Sequence, residues 1–116
     1  MSDELKESEN AEATPSEERL RERIQEELRR LTVGDYLVYV LQSLSALALR
    51  RMGLNAETQP ERDLTQARLA VDAFKAVLEV LEPTRPAEER SIHRGMLAQL
   101  QLAYVEAVQA KDQKQP

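Results

Sequence analysis

A chain of 116 residues with one histidine, no cysteine and no tryptophan is one domain at most, with neither a disulfide framework nor a reactive thiol. The 16 Lys and Arg stand against 21 Asp and Glu, a formal charge of -5. That balance excludes non-specific nucleic-acid binding as a main role, because phosphate neutralisation needs a basic face, and an aromatic content of 3% offers no platform for stacking bases.

Residues 1–13 are polar, charged and aperiodic. Asp3, Glu4, Glu7, Glu9 and Glu12 against Lys6 give this stretch a net -4, so the rest of the chain is nearly neutral. Such a segment cannot bury enough apolar area to offset the entropy of ordering, so a disordered acidic tail is expected. No signal peptide is expected either, since a secretory leader starts basic and then turns apolar.

Thr14-Pro15-Ser16-Glu17 predicts a helix start. Thr14 can cap, Pro15 suits the first helical position and Glu17 completes a capping box. A charged amphipathic helix is expected over 14–31, with Leu20, Ile24, Leu28 and Leu31 as a narrow apolar stripe. The stripe has the width of a coiled-coil seam, although the helix is too short to form a coiled coil by itself. Glu17–Arg21 and Glu26–Arg30 are favourable i,i+4 pairs, each worth about 0.2–0.5 kcal/mol.

A helical core domain is expected over 32–110. Thr32-Val33-Gly34-Asp35 reads as a second cap, followed by a central helix from Val33 to Met52. Within it Tyr36–Leu49 is apolar nearly all the way round, and a helix of that kind needs cover on all sides. Leu37–Leu41 alone could be a strand, but Leu41, Leu44, Leu47 and Ala48 continue at helical spacing. A membrane span needs about 20 apolar residues, and this stretch is shorter and holds Gln42, Ser43 and Ser45, so none is expected. Arg50 and Arg51 suit the negative end of the helix dipole, and Gly53 ends the helix.

Residues 54–62 read as a polar loop containing Pro60. Asp63 caps a third helix, with Gln66 completing a capping box. Leu64, Ala67, Val71, Phe74, Leu78 and Leu81 recur at steps of three and four, which places them on one face. Ala70, Ala73, Val77 and Val80 widen that face, and Arg68, Asp72, Lys75 and Glu79 form the polar side. Pro83-Thr84-Arg85-Pro86 breaks the chain tightly and forces helices three and four into an antiparallel hairpin. The fourth helix is expected from about Pro86 to Ala110, with Glu88 and Glu89 in its first turn. Ile92, Met96, Leu100, Ala103 and Ala107 form one apolar row, and Leu97, Tyr104 and Val108 the next. Residues 111–116 read as a frayed tail. The predicted fold is all-α: a small bundle in which the apolar central helix packs on the antiparallel hairpin, with the charged N-terminal helix attached.

The hydrophobic helix, Met52-Gly53, the polar loop, Asp63-Leu64-x-x-Ala67, Val71-Asp72 and a later Leu-x-x-Leu resemble a bacterial family defined only as domain of unknown function 1844. The closing Leu100-Gln101-Leu102-Ala103-Tyr104-Val105 is similar to that family's C-terminal helix. The resemblance covers about residues 35–108 and implies a small helical bacterial protein without an established activity. The loop here is shorter than the family's and lacks its acidic-Pro-Asp turn. The N-terminal helix lies outside the resemblance.

The sequence offers no catalytic, cofactor or metal set. His93 with Glu89 four residues before it reads as an ion pair on a solvated helix face. Ser43 and Ser45 lack a base and an orienting acid, and read as small polar residues that bond back to the helix or let another helix approach. Arg50, Arg51, Arg62 and Arg68 are a candidate anion patch. Tyr36 and Tyr39 read as packing residues with their hydroxyls at a rim.

Surplus apolar area on the central helix predicts a homodimer with Tyr36, Val40, Leu44 and Leu47 at the shared surface. The expected function is that of a non-enzymatic protein-interaction or adaptor module of the cytoplasm. It would act on itself and on an unknown protein by helix-in-groove docking, with Leu20, Ile24, Leu28 and Leu31 available for contact. The alternative is a ribosome- or membrane-surface-associated accessory factor that binds through the arginine patch.

Overall fold

The computed structural model describes residues 14–114; the expected acidic tail over 1–13 and residues 115–116 lie outside the described residues. The chain is all-α, a small helical bundle, and it divides between Thr32 and Val33 into two compact units.

The first unit holds α1 (Pro15–Arg30). Its capping box forms in full. The Thr14 hydroxyl accepts the Glu17 N–H at 3.1 Å, and the Glu17 carboxylate accepts the Thr14 N–H at 3.4 Å. Glu26 and Arg30 pair at 3.5 Å as expected. The expected Glu17–Arg21 pair gives way to the cap, which turns the Glu17 carboxylate back toward Thr14. No residue of α1 is buried.

The second unit is built on α2 (Val33–Met52), α3 (Leu64–Leu81) and α4 (Ala87–Lys114), with short 3₁₀ turns at Gln59–Glu61 and Glu82–Thr84. α2 stops at Gly53, whose φ of 61° is the left-handed conformation that favours glycine at a helix end. The loop after it is held by its own polar groups. Asn55 Oδ1 accepts the Thr58 N–H at 2.9 Å, and the Asp63 N–H donates to the Arg51 carbonyl at 2.8 Å. Asp63 then caps α3 by accepting the Gln66 N–H at 3.1 Å.

α3 lies against both other helices, and α2 also touches α4. The core is centred on α3, which buries Ala67, Ala70, Val71, Phe74, Leu78 and Leu81. α2 contributes Leu41, Ala48 and Met52, and α4 contributes Leu100 and Ala107. The central helix of the sequence is thus only partly covered: Leu41, Ala48 and Met52 face inward, while Tyr36, Tyr39, Leu47 and Leu49 remain exposed.

Two features of α4 correct the sequence reading. Ile92, expected to head the core row, is 60% exposed, and His93, expected on a solvated face, is 8% exposed. The reason is angular. His93, Leu100 and Ala107 are seven apart, close to two full turns, whereas Ile92 lies roughly 80° round the helix from Leu100 at 3.6 residues per turn. Glu89, the expected partner of His93, pairs with Arg85 at 3.8 Å instead. The helix also continues to Lys114, past the expected end at Ala110.

Candidate interaction surface

One side of α2 carries Tyr36, Tyr39, Val40, Ser43, Leu44 and Leu47, with Leu44 at its inner edge packed partly against the core. These residues line an open groove of about 270 Å³. Helix geometry puts them together: positions 36, 40, 43 and 47 recur at steps of four, three and four along one side. The core-facing positions 41, 48 and 52 occupy the other side. Tyr36 is 56% exposed, Tyr39 59% and Leu47 45%, while Val40 and Leu44 are half-buried at the base of the groove. The surface is mostly apolar, and its polar side-chain groups are the hydroxyls of Tyr36, Tyr39 and Ser43. The structure brings together all four residues expected on this helix. It adds Tyr39 and Ser43, which the spacing from Tyr36 and Val40 could have supplied.

On α1, Leu20, Ile24 and Leu28 are exposed along one side and Leu31, at the C-cap, is half-buried. A second hollow, about 250 Å³, opens between α2 and α4 and is lined by Ser45, Leu49, Met96, Gln99, Leu100 and Ala103. The outer side of α4 carries exposed Ile92, Leu102 and Val105, and a side chain added at Gly95 would meet nothing within 4 Å. The sequence reading missed this second apolar side because it assigned Ile92 to the core.

The four candidate anion-binding arginines are all engaged within the protein. Arg50 pairs with Glu61 at 3.3 Å, and Arg51 pairs with the same carboxylate at 3.8 Å. Arg62 donates to the Ala107 carbonyl, tying the loop to α4, and its Cβ sits over Gly53. Arg68 pairs along its own helix with Asp72 at 3.8 Å, where both side chains are largely exposed. Arg50, Arg51 and Glu61 form one cluster, and Arg68 is engaged separately.

Two further arginines, which the sequence did not single out, hold the hairpin turn. Arg85 bonds Asp35 at 3.0 Å and so links the turn to the start of α2. Arg94 grips Glu82 with two bonds, at 2.9 and 2.6 Å. The hydrogen bonds from Arg94 hold the Glu82 carboxyl below its usual range, and the same contact raises the guanidinium.

Among the described residues no cluster of three or more His, Cys, Asp or Glu could hold a metal ion. Among them, no single helix is long and apolar enough to cross a membrane. No family model, curated protein or solved structure matches the chain.

Proposed function

We propose that this chain is a non-enzymatic protein-interaction module of the bacterial cytoplasm that receives a helix on the outer face of α2. The observation that carries the reading is the continuous exposed surface of Tyr36, Tyr39 and Leu47 over half-buried Val40 and Leu44. Two adjacent tyrosines and three aliphatic side chains on one helix face have the composition of an interface centre, where aromatic residues supply most of the contact energy. The groove is open and its lining is spread over about three turns of one helix, which suits a helix laid along it better than a small molecule. The proposed occupants are a second copy of the chain and a helix of another protein. The arginine-based alternative is less well supported, since Arg50, Arg51 and Arg62 would have to release Glu61 and the Ala107 carbonyl to hold an anion.

The test is the double substitution Tyr39→Asp/Leu47→Asp. Both side chains are exposed, so the helical circular dichroism of the core should be unchanged. Self-association, read by sedimentation equilibrium at micromolar concentration, and docking of any partner helix should both be lost. If the double variant associates as the wild type does, the α2 face is not the docking surface.

A further inference from the structure

We infer that the α2 groove is filled by the same face of α2 from a second copy of this chain, packed antiparallel about a two-fold axis between Leu41 and Gln42. The inference rests on the α2 face being a docking surface, and it names what docks there and in which register.

The first observation is that the face complements itself. About that axis Val40 of each copy meets Ser43 of the other, and Tyr36 meets Leu47 at either end. On the outer flank Tyr39 lies over Ala46, and both are exposed. A branched side chain then faces a small hydroxymethyl, and a phenol ring faces a methyl. Large opposite small lets the two backbones approach closely without a void. A parallel pair would set each residue against itself. Its two Ser43 side chains would leave a gap, while its two Tyr36 rings would hold the helices apart.

The second observation is charge. α2 has Asp35 in its first turn and Arg50 and Arg51 in its last. Asp35 and Arg50 lie on the same flank as Tyr39 and Ala46, since 100° per residue carries all four to one side of the helix. Antiparallel packing brings the acidic start of each α2 to the basic end of the other. Parallel packing would set Asp35 beside Asp35 and the arginine pairs beside each other. Arg50 holds Glu61 at 3.3 Å and Asp35 holds Arg85 at 3.0 Å, yet the Arg50 and Asp35 side chains are 56% and 51% exposed. These charges fix the direction of packing, and the apolar centre supplies the adhesion.

The third observation favours α2 over α1 as the occupant. The stripe of Leu20, Ile24 and Leu28 on α1 is also exposed and apolar. From Glu17 to Arg30, however, α1 has no Gly, Ala, Ser or Thr. In every register it sets a long side chain against Tyr39 and Val40, where α2 offers Ala46 and Ser43. A helix does not pack on itself, so an α2 partner belongs to another copy. The pair is closed, because each copy presents the same surface and uses it once.

The chain has no cysteine, so introduced thiols report directly on this register. Full-length Val40→Cys is mixed with size-tagged, full-length Ser43→Cys and oxidised mildly. The expected product is a disulfide-linked mixed dimer. Leu47→Cys alone should stay unlinked, because the two positions 47 lie roughly 16 Å apart in this register, beyond the Cα separation of about 7 Å that a disulfide spans. Sedimentation equilibrium reads the contact of Tyr39 with Ala46, two exposed positions where folding is not at risk. Ala46→Tyr overpacks both symmetric contacts and should raise the dimer dissociation constant by about 30-fold or more. Tyr39→Ala/Ala46→Tyr sets each ring opposite a methyl again and should bind at least about tenfold more tightly than Ala46→Tyr. A self-linked Leu47→Cys overturns the inference, as does a double variant no tighter than Ala46→Tyr. So does a wild-type chain that stays monomeric at about 100 µM, which leaves the groove to a different helix. If Tyr39→Asp/Leu47→Asp still abolishes docking of a helix in any of those cases, the α2 surface stands and only its occupant changes.

Discussion

Gly53 is the residue whose identity the backbone constrains most. Its φ of 61° costs an ordinary side chain roughly 1–2 kcal/mol, and a Cβ there would lie 2.6 Å from the Cβ of Arg62. Gly53→Ala should therefore lower the thermal midpoint by at least about 4–8 °C, the shift that 1 kcal/mol gives a domain of this size. Gly95 is the opposite case. It sits inside α4 with open space around it, so Gly95→Ala should raise the midpoint by removing backbone entropy worth about 0.5–1 kcal/mol. One thermal melt of each variant checks both. The Glu82–Arg94 contact gives a prediction in pH. Glu82 is held below its ordinary 4.5 by its bonds to Arg94. Whatever this pair contributes is fully present above 4.5 and is lost as pH falls through the lower folded value. In Arg94→Ala the Glu82 carboxyl should titrate back toward 4.5, which a carboxyl NMR titration reads directly. An unchanged midpoint for that carboxyl would mean that Arg94 does not set it.

Among the elements, α3 was the most legible from sequence, because most of its apolar residues lie on one face and its charges on the other; Leu69 and Val80, the latter expected to widen that face, are exposed. Ala67, Val71, Phe74, Leu78 and Leu81 are buried as their spacing predicts. Phe74 is fully enclosed, so Phe74→Ala should cost about 3–5 kcal/mol, a large part of the stability of a small domain, and a denaturant titration would show it. α4 was less legible because it is apolar on two sides, and hydrophobicity alone cannot say which side turns inward. Residue type then misleads: Ile92 looks like core and His93 like surface. The seven-residue spacing of His93, Leu100 and Ala107 gives the right answer, and it places a polar side chain inside. His93 Nδ1 is buried without a hydrogen-bond partner among the described residues, a cost that the packing of Leu100 and Ala107 around the same helix face must offset. α2 was legible in its length and ends, from Val33 to Met52, but not in which sides would be covered. Its sequence is nearly symmetric about the axis, and only the position of α3 and α4 breaks that symmetry. For the same reason the arginine patch could not be judged from spacing. Nothing in the sequence places Glu61 between Arg50 and Arg51, because that contact depends on how the loop folds back.

At the scale of the whole molecule, the exposed apolar face of α2 should make stability depend on concentration. A core of three helices buries its own apolar face around Phe74, and that stabilisation is independent of how much protein is present. Docking of a second copy on the α2 face adds a term that grows with concentration, because only the folded chain presents that groove. Between about 1 and 100 µM a reciprocal dimer gains roughly 2.7 kcal/mol per dimer, enough to raise the midpoint by several degrees. The wild-type melt should therefore move upward over this range. Tyr39→Asp/Leu47→Asp should melt at one temperature throughout, close to that of the dilute wild type, because both side chains are exposed and neither belongs to the core. Salt tests the chemistry of that surface: an apolar contact is insensitive to ionic strength, whereas exposed charges are screened within about 8 Å at 0.15 M. Raising salt should therefore leave the concentration dependence in place. A concentration dependence abolished by salt would place the docking energy in surface charges and not in Tyr36, Val40, Leu44 and Leu47. A midpoint that never moves with concentration would leave the α2 surface to a helix from another protein.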